Sequence, residues 1–180
     1  EKPLFNRSRS IKEKSGNKII VGYNLRLHPV IQYVKKYIKN KSFFSVGIYC
    51  HSYLPNWRKS INYKHSNTAK KKYGGGILLE LSHEIDYLQL LFGKIKKIKS
   101  SNFGKISNLR INTEDYALLT GETKKTNFNI DLNYFSKNNQ RLIIVNGNDL
   151  TIRCDLINNT INILRKNKNK IIRFKNSENY

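Results

Sequence analysis

Three polar side chains that could transfer protons recur on one predicted helix of this chain. At the helical repeat of about 100° per residue, Glu80, His83 and Tyr87 fall within an arc of about 60°. A carboxylate three residues before a histidine can hydrogen-bond its imidazole and tune its basicity for general acid–base catalysis. The spacing therefore predicts an active-site helix. The alternative is a half-buried structural histidine that a neighbouring residue satisfies.

The helix that must position these side chains is predicted to run from Gly74 to Phe92. Three consecutive glycines open it, and Gly93 supplies its stop. Its apolar residues share a second arc of about 80°, which is the width of a face that packs on a core. These residues are Ile77, Leu81, Ile85, Leu88 and Phe92.

The segments before this helix predict a mixture of strands, a helix and a loop. Pro29 suits the first turn of a helix whose apolar residues repeat at helical spacing through Asn40. The other predicted segments are a polar helix or loop at Phe5–Lys14, strands at Ile19–Leu27 and Phe43–Tyr53, and a long loop at Leu54–Tyr73. A long loop beside a catalytic helix often shapes a substrate pocket.

The segments after the helix predict strands and tight turns. Residues 127–135 alternate strictly between apolar and polar side chains, which indicates a strand with one buried face. Asn146-Gly147-Asn148-Asp149 is a hairpin signal between Arg141–Val145 and Leu150–Leu156, and two more strands follow at Thr160–Arg165 and Ile171–Phe174. The predicted fold class is α+β, an open and mainly antiparallel sheet with helices packed on one face.

Charge raises a competing interpretation of function. The 180 residues include 34 Lys and Arg against 12 Asp and Glu, a formal net charge of +22 that would attract nucleic acid at low salt. The basic residues are spread over every segment, and no recognised nucleic-acid-binding motif occurs. Lys, Asn and Ile are all frequent, which fits A- and T-rich codon usage. We therefore expect no specific nucleic-acid partner, with a non-catalytic basic binding module of non-specific nucleic-acid affinity as the alternative.

Composition also limits the cellular compartment and the kinds of site that we expect. No apolar run approaches the ~18–20 residues of a membrane span, and no signal peptide is present, so the expectation is a cytoplasmic protein without a membrane partner. Cys50 and Cys154 lie far apart and outside any metal-binding spacing, so we expect two reduced thiols and no metal site.

Several motifs in combination resemble one enzyme family. Glu1-Lys2-Pro3 at the start, a Val21-to-Pro29 segment and the glycine run before His83 and Asp86 are similar to the glucose-fructose oxidoreductase, inositol dehydrogenase and MocA (Gfo/Idh/MocA) family of nicotinamide-dependent sugar oxidoreductases. The run Tyr53-Leu54-Pro55-Asn56-Trp57-Arg58 resembles a subgroup that acts on surface-polysaccharide sugars. The resemblance spans nearly the whole chain.

The resemblance implies that part of the enzyme lies elsewhere. Family members carry an N-terminal Rossmann domain that ends at the Glu-Lys-Pro motif, and no G-x-G-x-x-G phosphate loop occurs in this sequence. We expect residues 1–180 to be the C-terminal α/β substrate-binding and oligomerisation domain, with residues 1–4 the end of a missing cofactor domain. A truncated gene and an incomplete sequence are both open explanations. We expect the isolated chain to be inactive. The family's nucleotide binding, to NAD or NADP, is expected to depend mainly on the missing domain.

The resemblance also assigns roles by position. His83 becomes the acid/base candidate, and Lys2, which with Pro3 matches the family's motif near the nicotinamide, would stabilise developing alkoxide charge. Many relatives have an aspartate four residues before the histidine, where this chain has Leu79. Glu80, which lies three residues before the histidine, is the candidate that would assist catalysis in place of this aspartate.

Substrate contacts complete the expected site. The substrate class is a sugar or nucleotide sugar, and relatives commonly pair through the free sheet face, which implies a homodimer. Charged side chains would bind the sugar or its substituents, and tyrosine hydroxyls would hydrogen-bond to it. The alternatives are that the arginine is a solvated surface charge, that Asp86 stabilises a helix or caps a loop, and that the tyrosines are packing residues. The candidates are Arg26, Trp57, Arg58, Tyr63, Asp86 and Tyr87.

Overall fold

The computed structural model describes residues 2, 3, 5 and 19–175. Three α-helices occur in this part of the chain: α1 (Pro29–Tyr37), α2 (Ile77–Glu80) and α3 (Ser82–Phe92). Short 3₁₀ turns occupy much of the predicted 54–73 loop. The segment predicted at Phe5–Lys14 lies outside the described residues except for Phe5.

In the described part of the chain, eight strands form one open sheet in the order β2-β3-β4-β1-β5-β6-β7-β8. Every neighbouring pair is antiparallel except β1 with β4, which is parallel. The strands are β1 (Ser45–Tyr53), β2 (Ile95–Gly104), β3 (Tyr116–Thr123), β4 (Asn127–Asn133), β5 (Phe135–Asn146), β6 (Leu150–Asp155), β7 (Thr160–Arg165) and β8 (Lys168–Arg173). The predicted α+β class with a mainly antiparallel sheet is confirmed.

The hydrophobic core lies between one face of the sheet and the helices. Alternate residues of the central strands, such as Val46 and Ile48 of β1, are fully buried against apolar side chains of α1 and α3. In β4, Phe128, Ile130 and Leu132 are buried as the alternation predicted. Burying each such side chain contributes roughly 1.5–3 kcal/mol, so this face firmly anchors the helices.

The predicted strand at Ile19–Leu27 is wrong. Residues 19–23 make no strand, and Asn24–Leu27 forms a 3₁₀ turn before α1. Ile20 is 88% exposed and pairs with no strand of the sheet. An apolar run becomes a strand only where a neighbour satisfies its backbone groups.

The predicted helix from Gly74 to Phe92 is interrupted. Leu81 separates α2 from α3, with φ −98° and ψ 30°, outside ordinary helical values. None of the helices in the described part of the chain is long and apolar enough to cross a membrane.

Candidate active site

An open pocket lies where the junction of α2 and α3 meets the ends of two central strands. Its volume is about 390 Å³, within the range of small-molecule sites. The C-terminal part of β1 and residues from the middle of β5 form one side, and the helix junction forms the other. Its lining residues are Lys2, Cys50, His51, Ser52, Trp57, Glu80, Leu81, His83, Asn139, Gln140, Arg141 and Ile157.

His83 lines this pocket from the first turn of α3. Its side chain is buried, with 8% of the residue exposed, and the ring of Tyr23 packs edge-on against it at 5.4 Å between centroids. Its Nδ1 makes no hydrogen bond with any described residue. Burial, then the positive charge of Lys2 and, to a smaller extent, that of Arg141 together lower the pKa of His83 to about 4. The imidazole is therefore neutral at physiological pH and can accept a proton.

The break at Leu81 brings Lys2 into the site. The Lys2 ammonium donates a hydrogen bond to the backbone carbonyl of Glu80, while the Glu84 amide bonds instead to the carbonyl of Leu81. In an uninterrupted helix the Glu80 carbonyl would have accepted from the Glu84 amide. The break thus frees a carbonyl that holds the lysine beside the imidazole.

The glycine run allows α2 to begin against a neighbouring loop. At Gly75 a Cβ atom would lie 2.3 Å from the backbone oxygen of Asn67, and Gly76 has φ +122°, a value that strongly favours glycine. This close approach places Thr68 beside α2, where its hydroxyl donates to Glu80 Oε1 at 2.7 Å. The Glu80 carboxylate is therefore held by the loop, and it is not hydrogen-bonded to His83.

A buried ion pair lies directly behind His83. Arg141 Nε, on β5, donates to Glu84 Oε1 at 2.7 Å, and the Glu84 side chain is fully buried. Burial disfavours the charged guanidinium, but the carboxylate of Glu84 outweighs it and raises the pKa of Arg141. The Tyr87 hydroxyl lies 3.5 Å from the same carboxylate oxygen, and Cys50 lies close to the pair. Because Glu84 follows His83 in the chain, this pair anchors the first turn of α3 to the sheet.

Comparison with protein-family models identifies the fold and its relatives. Residues 35–180 match the model described as the oxidoreductase family, C-terminal alpha/beta domain, of the Gfo/Idh/MocA group. The chain belongs to this family. A sequence comparison with curated proteins gave no significant match.

Solved structures of oxidoreductases share the fold at low sequence identity. An oxidoreductase from Agrobacterium radiobacter, in complex with NAD+, L-tartaric acid and magnesium, is 18% identical with a TM-score of 0.67, covering 84% of this chain and 44% of its own. The UDP-N-acetylglucosamine 3-dehydrogenase GnnA from Acidithiobacillus ferrooxidans is 16% identical (TM-score 0.65; 87% and 47% covered). A levoglucosan dehydrogenase in complex with NADH is 15% identical (TM-score 0.72; 86% and 46% covered). The chain thus spans less than half the length of these proteins.

Four of the predicted site residues meet in the pocket of this Gfo/Idh/MocA domain: Lys2, Trp57, Glu80 and His83. The Trp57 indole nitrogen donates to Ser52 Oγ at 2.9 Å, and its ring packs edge-on to Tyr134 at 5.1 Å. Arg58 and Tyr63 line a small crevice that Trp57 shares with the pocket.

The other predicted contacts lie away from the pocket lining. Arg26 and Asp86 form a two-pronged ion pair with each other, at 2.8 and 2.5 Å. Tyr87 is fully buried beside Glu84. Pro3 follows Lys2 through a cis peptide bond and does not line the pocket.

Arg141, Glu84 and His51 are pocket-associated residues that the sequence interpretation missed. His51 Nδ1 lies 2.5 Å from Gln140 Nε2, and its Nε2 lies 3.2 Å from Asp131 Oδ1 without hydrogen-bond geometry. A signal for Arg141 was present, because it alternates with Ile143 and Val145 on the buried face of a predicted strand. A charged residue in a buried register has to find a partner.

Proposed function

We propose that this domain is the substrate side of an NAD- or NADP-dependent sugar oxidoreductase. The observation that carries the proposal is a buried, neutral imidazole, His83, that lines an open pocket together with the ammonium of Lys2. A group that removes a proton and a cation that stabilises the resulting negative charge are what oxidation of a sugar hydroxyl requires. The dehydrogenases with similar folds are described as acting on sugars or nucleotide sugars, which supports a substrate of that class.

The donor groups of the pocket suit the sugar end of such a reaction. The bound nicotinamide would accept the hydride from the carbon that bears the reacting hydroxyl. Lys2 and His83 are the residues of this chain that would lie nearest to that carbon, and His83 has a buried, unbonded Nδ1 among the described residues. The binding of the nucleotide phosphates we assign to a Rossmann domain, on this polypeptide or another.

The proton moves through this chain's own residues. His83 accepts the proton of the sugar hydroxyl, which its lowered pKa permits because the imidazole is neutral above about pH 4. The Lys2 ammonium stabilises the negative charge on the sugar oxygen. The carboxylates of Glu84 and Asp86, whose negative charges favour the protonated imidazole, partly compensate the added positive charge when His83 becomes protonated. Trp57 offers an apolar ring for the sugar's carbon face.

A chimera tests this function. The Rossmann domain of the levoglucosan dehydrogenase would be joined ahead of Glu1, and nicotinamide reduction would be followed with a panel of sugars and uronic acids. We expect His83→Ala to lower kcat about 10²- to 10⁴-fold, the contribution of a general acid–base group, with the affinity for NAD unchanged. His65→Ala is the matched control, since His65 is exposed on the 54–73 loop. Turnover retained by His83→Ala would remove the imidazole from the mechanism.

We also propose a homodimer through the sheet face opposite to the described helices. Leu164 and Ile171 lie on that face and are 39% and 50% exposed. Sedimentation velocity should show a dimer that weakens in Ile171→Lys and persists in Ile106→Lys, a change at an exposed loop position. A monomer at all concentrations of the unaltered chain would contradict this assembly.

A further inference from the structure

The free end of one guanidinium faces the pocket. Arg141 lines the pocket beside His83, and a quarter of its side chain is exposed, whereas its partner Glu84 is completely buried. Glu84 accepts from Nε, and the Cys50 thiol lies close enough to the guanidinium to interact with it, while neither Nη1 nor Nη2 makes a hydrogen bond of ordinary geometry with the described residues. The buried carboxylate therefore holds the guanidinium from behind and leaves its outer edge available.

The tether sets the orientation of this outer edge. Arg141 lies opposite Cys50 in the β1–β5 ladder, and both residues line the pocket. Glu84 is in the first turn of α3, directly after His83, so the same ion pair fixes the imidazole and the guanidinium relative to each other. A guanidinium held in one orientation loses little side-chain entropy when it binds a ligand.

The outer edge of the Arg141 guanidinium is suited to a carboxylate more than to a hydroxyl. Nη1 and Nη2 present parallel N–H donors that match the two oxygens of a planar carboxylate. A single neutral hydroxyl presents one oxygen, which cannot face both parallel N–H donors in line, and it carries no charge. The side-chain amide of Gln140, also in the lining, adds a polar neighbour without adding negative charge.

The positive groups of the pocket lie in its lining, whereas one of the two nearby carboxylates lies behind it. Lys2 and Arg141 line the pocket with the Glu80 carboxylate, which accepts from Thr68, and Glu84, which pairs with Arg141, is completely buried behind the lining. The lowered pKa of His83, due first to burial and then to Lys2, with Arg141 contributing, is consistent with a positive potential at this point. An anionic substituent placed there would be attracted while the imidazole stays neutral.

We propose that Arg141 is a specificity-determining residue that binds a carboxylate on the substrate, so that the pocket takes an acidic sugar, a uronic acid or its derivative. The inference rests on the proposed function only in taking the pocket as a sugar site. Arg141 acts in binding and orientation, and His83 and Lys2 act at the reacting hydroxyl.

Ligand binding to the chain itself tests the proposal without any turnover. Isothermal titration would compare D-glucuronate, D-glucose and D-glucose 6-phosphate at about 0.15 M ionic strength, where long-range attraction by the net charge is screened. We expect glucuronate to bind about 10- to 100-fold more tightly than glucose, as a charge-assisted, two-pronged contact provides. Tighter binding of the phosphate than of glucuronate would overturn the assignment to a carboxylate.

Variants separate the guanidinium edge from overall charge. Arg141→Lys keeps the charge beside Glu84 but loses the two-pronged edge. The affinity of this variant for glucuronate should therefore fall to within about threefold of its affinity for glucose. Arg153→Gln, an exposed arginine on the other sheet face, removes a charge remote from the pocket and should leave the preference intact. If Arg141→Lys unfolds, the paired change Arg141→Gln with Glu84→Gln replaces the ion pair by two amides and carries the same expectation.

Two failures can be told apart. A chimera that oxidises neutral sugars, combined with equal binding of glucuronate and glucose, would refute the role of Arg141 and leave the oxidoreductase function standing. Arg141-dependent binding of glucuronate without any hydride transfer would leave the carboxylate site standing and refute the proposed function. Glucuronate preference retained in a folded Arg141 variant would refute the site directly.

Discussion

Acidification should destabilise this domain through His83 in a defined pH window. Burial, together with the positive charge of Lys2, lowers the pKa of His83 from 6.5 in an unfolded chain to about 4 in the folded domain. The folded state therefore binds this proton less readily than the unfolded state does. The contribution of the neutral His83 to the stability of the folded state is fully present above pH 6.5 and is lost as the pH decreases from 6.5 to about 4.

The size of the effect follows from the two pKa values. At about 1.36 kcal/mol per pH unit, the difference between 6.5 and about 4 corresponds to a loss of roughly 3 kcal/mol in the free energy of unfolding. Only 8% of the residue is exposed, so solvent screening does not reduce this figure much. Such a loss is a large part of the stability of an ordinary domain, about 5–15 kcal/mol.

Urea unfolding at a series of pH values measures this quantity. Trp57 fluorescence reports the transition, and the comparison is between the unaltered chain and His83→Gln, which cannot be protonated. His28, whose pKa is also lowered by burial, remains in both proteins, so the difference between the two curves isolates His83. Asp115 does not interfere, because hydrogen bonds from Ile106 and Ser107 outweigh its burial and lower its pKa below 3.8.

An NMR titration of the imidazole gives the pKa directly. We expect a value near 4 for His83, and a partial rise in Lys2→Met, because burial is the larger cause and Lys2 the second. A titration near pH 6.5, or parallel loss of stability by His83→Gln and the unaltered chain, would refute the buried, neutral imidazole. The base assigned to the reaction would then have to be another group.

Two further predictions concern the elements that hold the site. Glu84→Gln should cost about 3 kcal/mol in urea unfolding, because it leaves the largely enclosed guanidinium of Arg141 without its carboxylate; an unchanged midpoint would show that the pair is not formed. Gly76→Ala should cost more than about 1 kcal/mol, since φ is +122° and the new Cβ would lie 2.3 Å from Glu114 Oε1. Thermal unfolding checks the second change against Gly22→Ala, where no atom lies within 4 Å, and equal midpoints would contradict it.

Local pattern was sufficient for the elements with a regular period. The alternation over residues 127–135 predicted β4 and its buried face, and the Asn146–Asp149 turn predicted the β5–β6 hairpin, because neighbouring residues decide both. The glycine run predicted a helix start at Gly74, three residues before α2 begins at Ile77, and glycine is needed there because a Cβ atom at Gly75 would collide with the neighbouring loop. Local pattern failed at Ile19–Leu27, where an apolar run had no strand to pair with.

Contacts between distant segments escaped the sequence interpretation. At the break beside Leu81, Lys2 donates to the carbonyl of Glu80, 78 residues further along the chain. The pairing of Glu84 with Arg141 joins residues 57 apart, and Arg26 turned out to pair with Asp86. No periodicity encodes such partners, because each depends on how whole elements pack.

The sequence by itself determined which residues are capable of chemistry, which family they resemble and which face of each regular element is buried, since these depend on residue type and on periods of a few residues. Only the tertiary structure decided that His83, Lys2 and Arg141 share one pocket and that Tyr87 does not. The physical reason is that a side chain's neighbours, and hence its burial and pKa, are set by contacts across the sheet and helices, which form only when the chain folds.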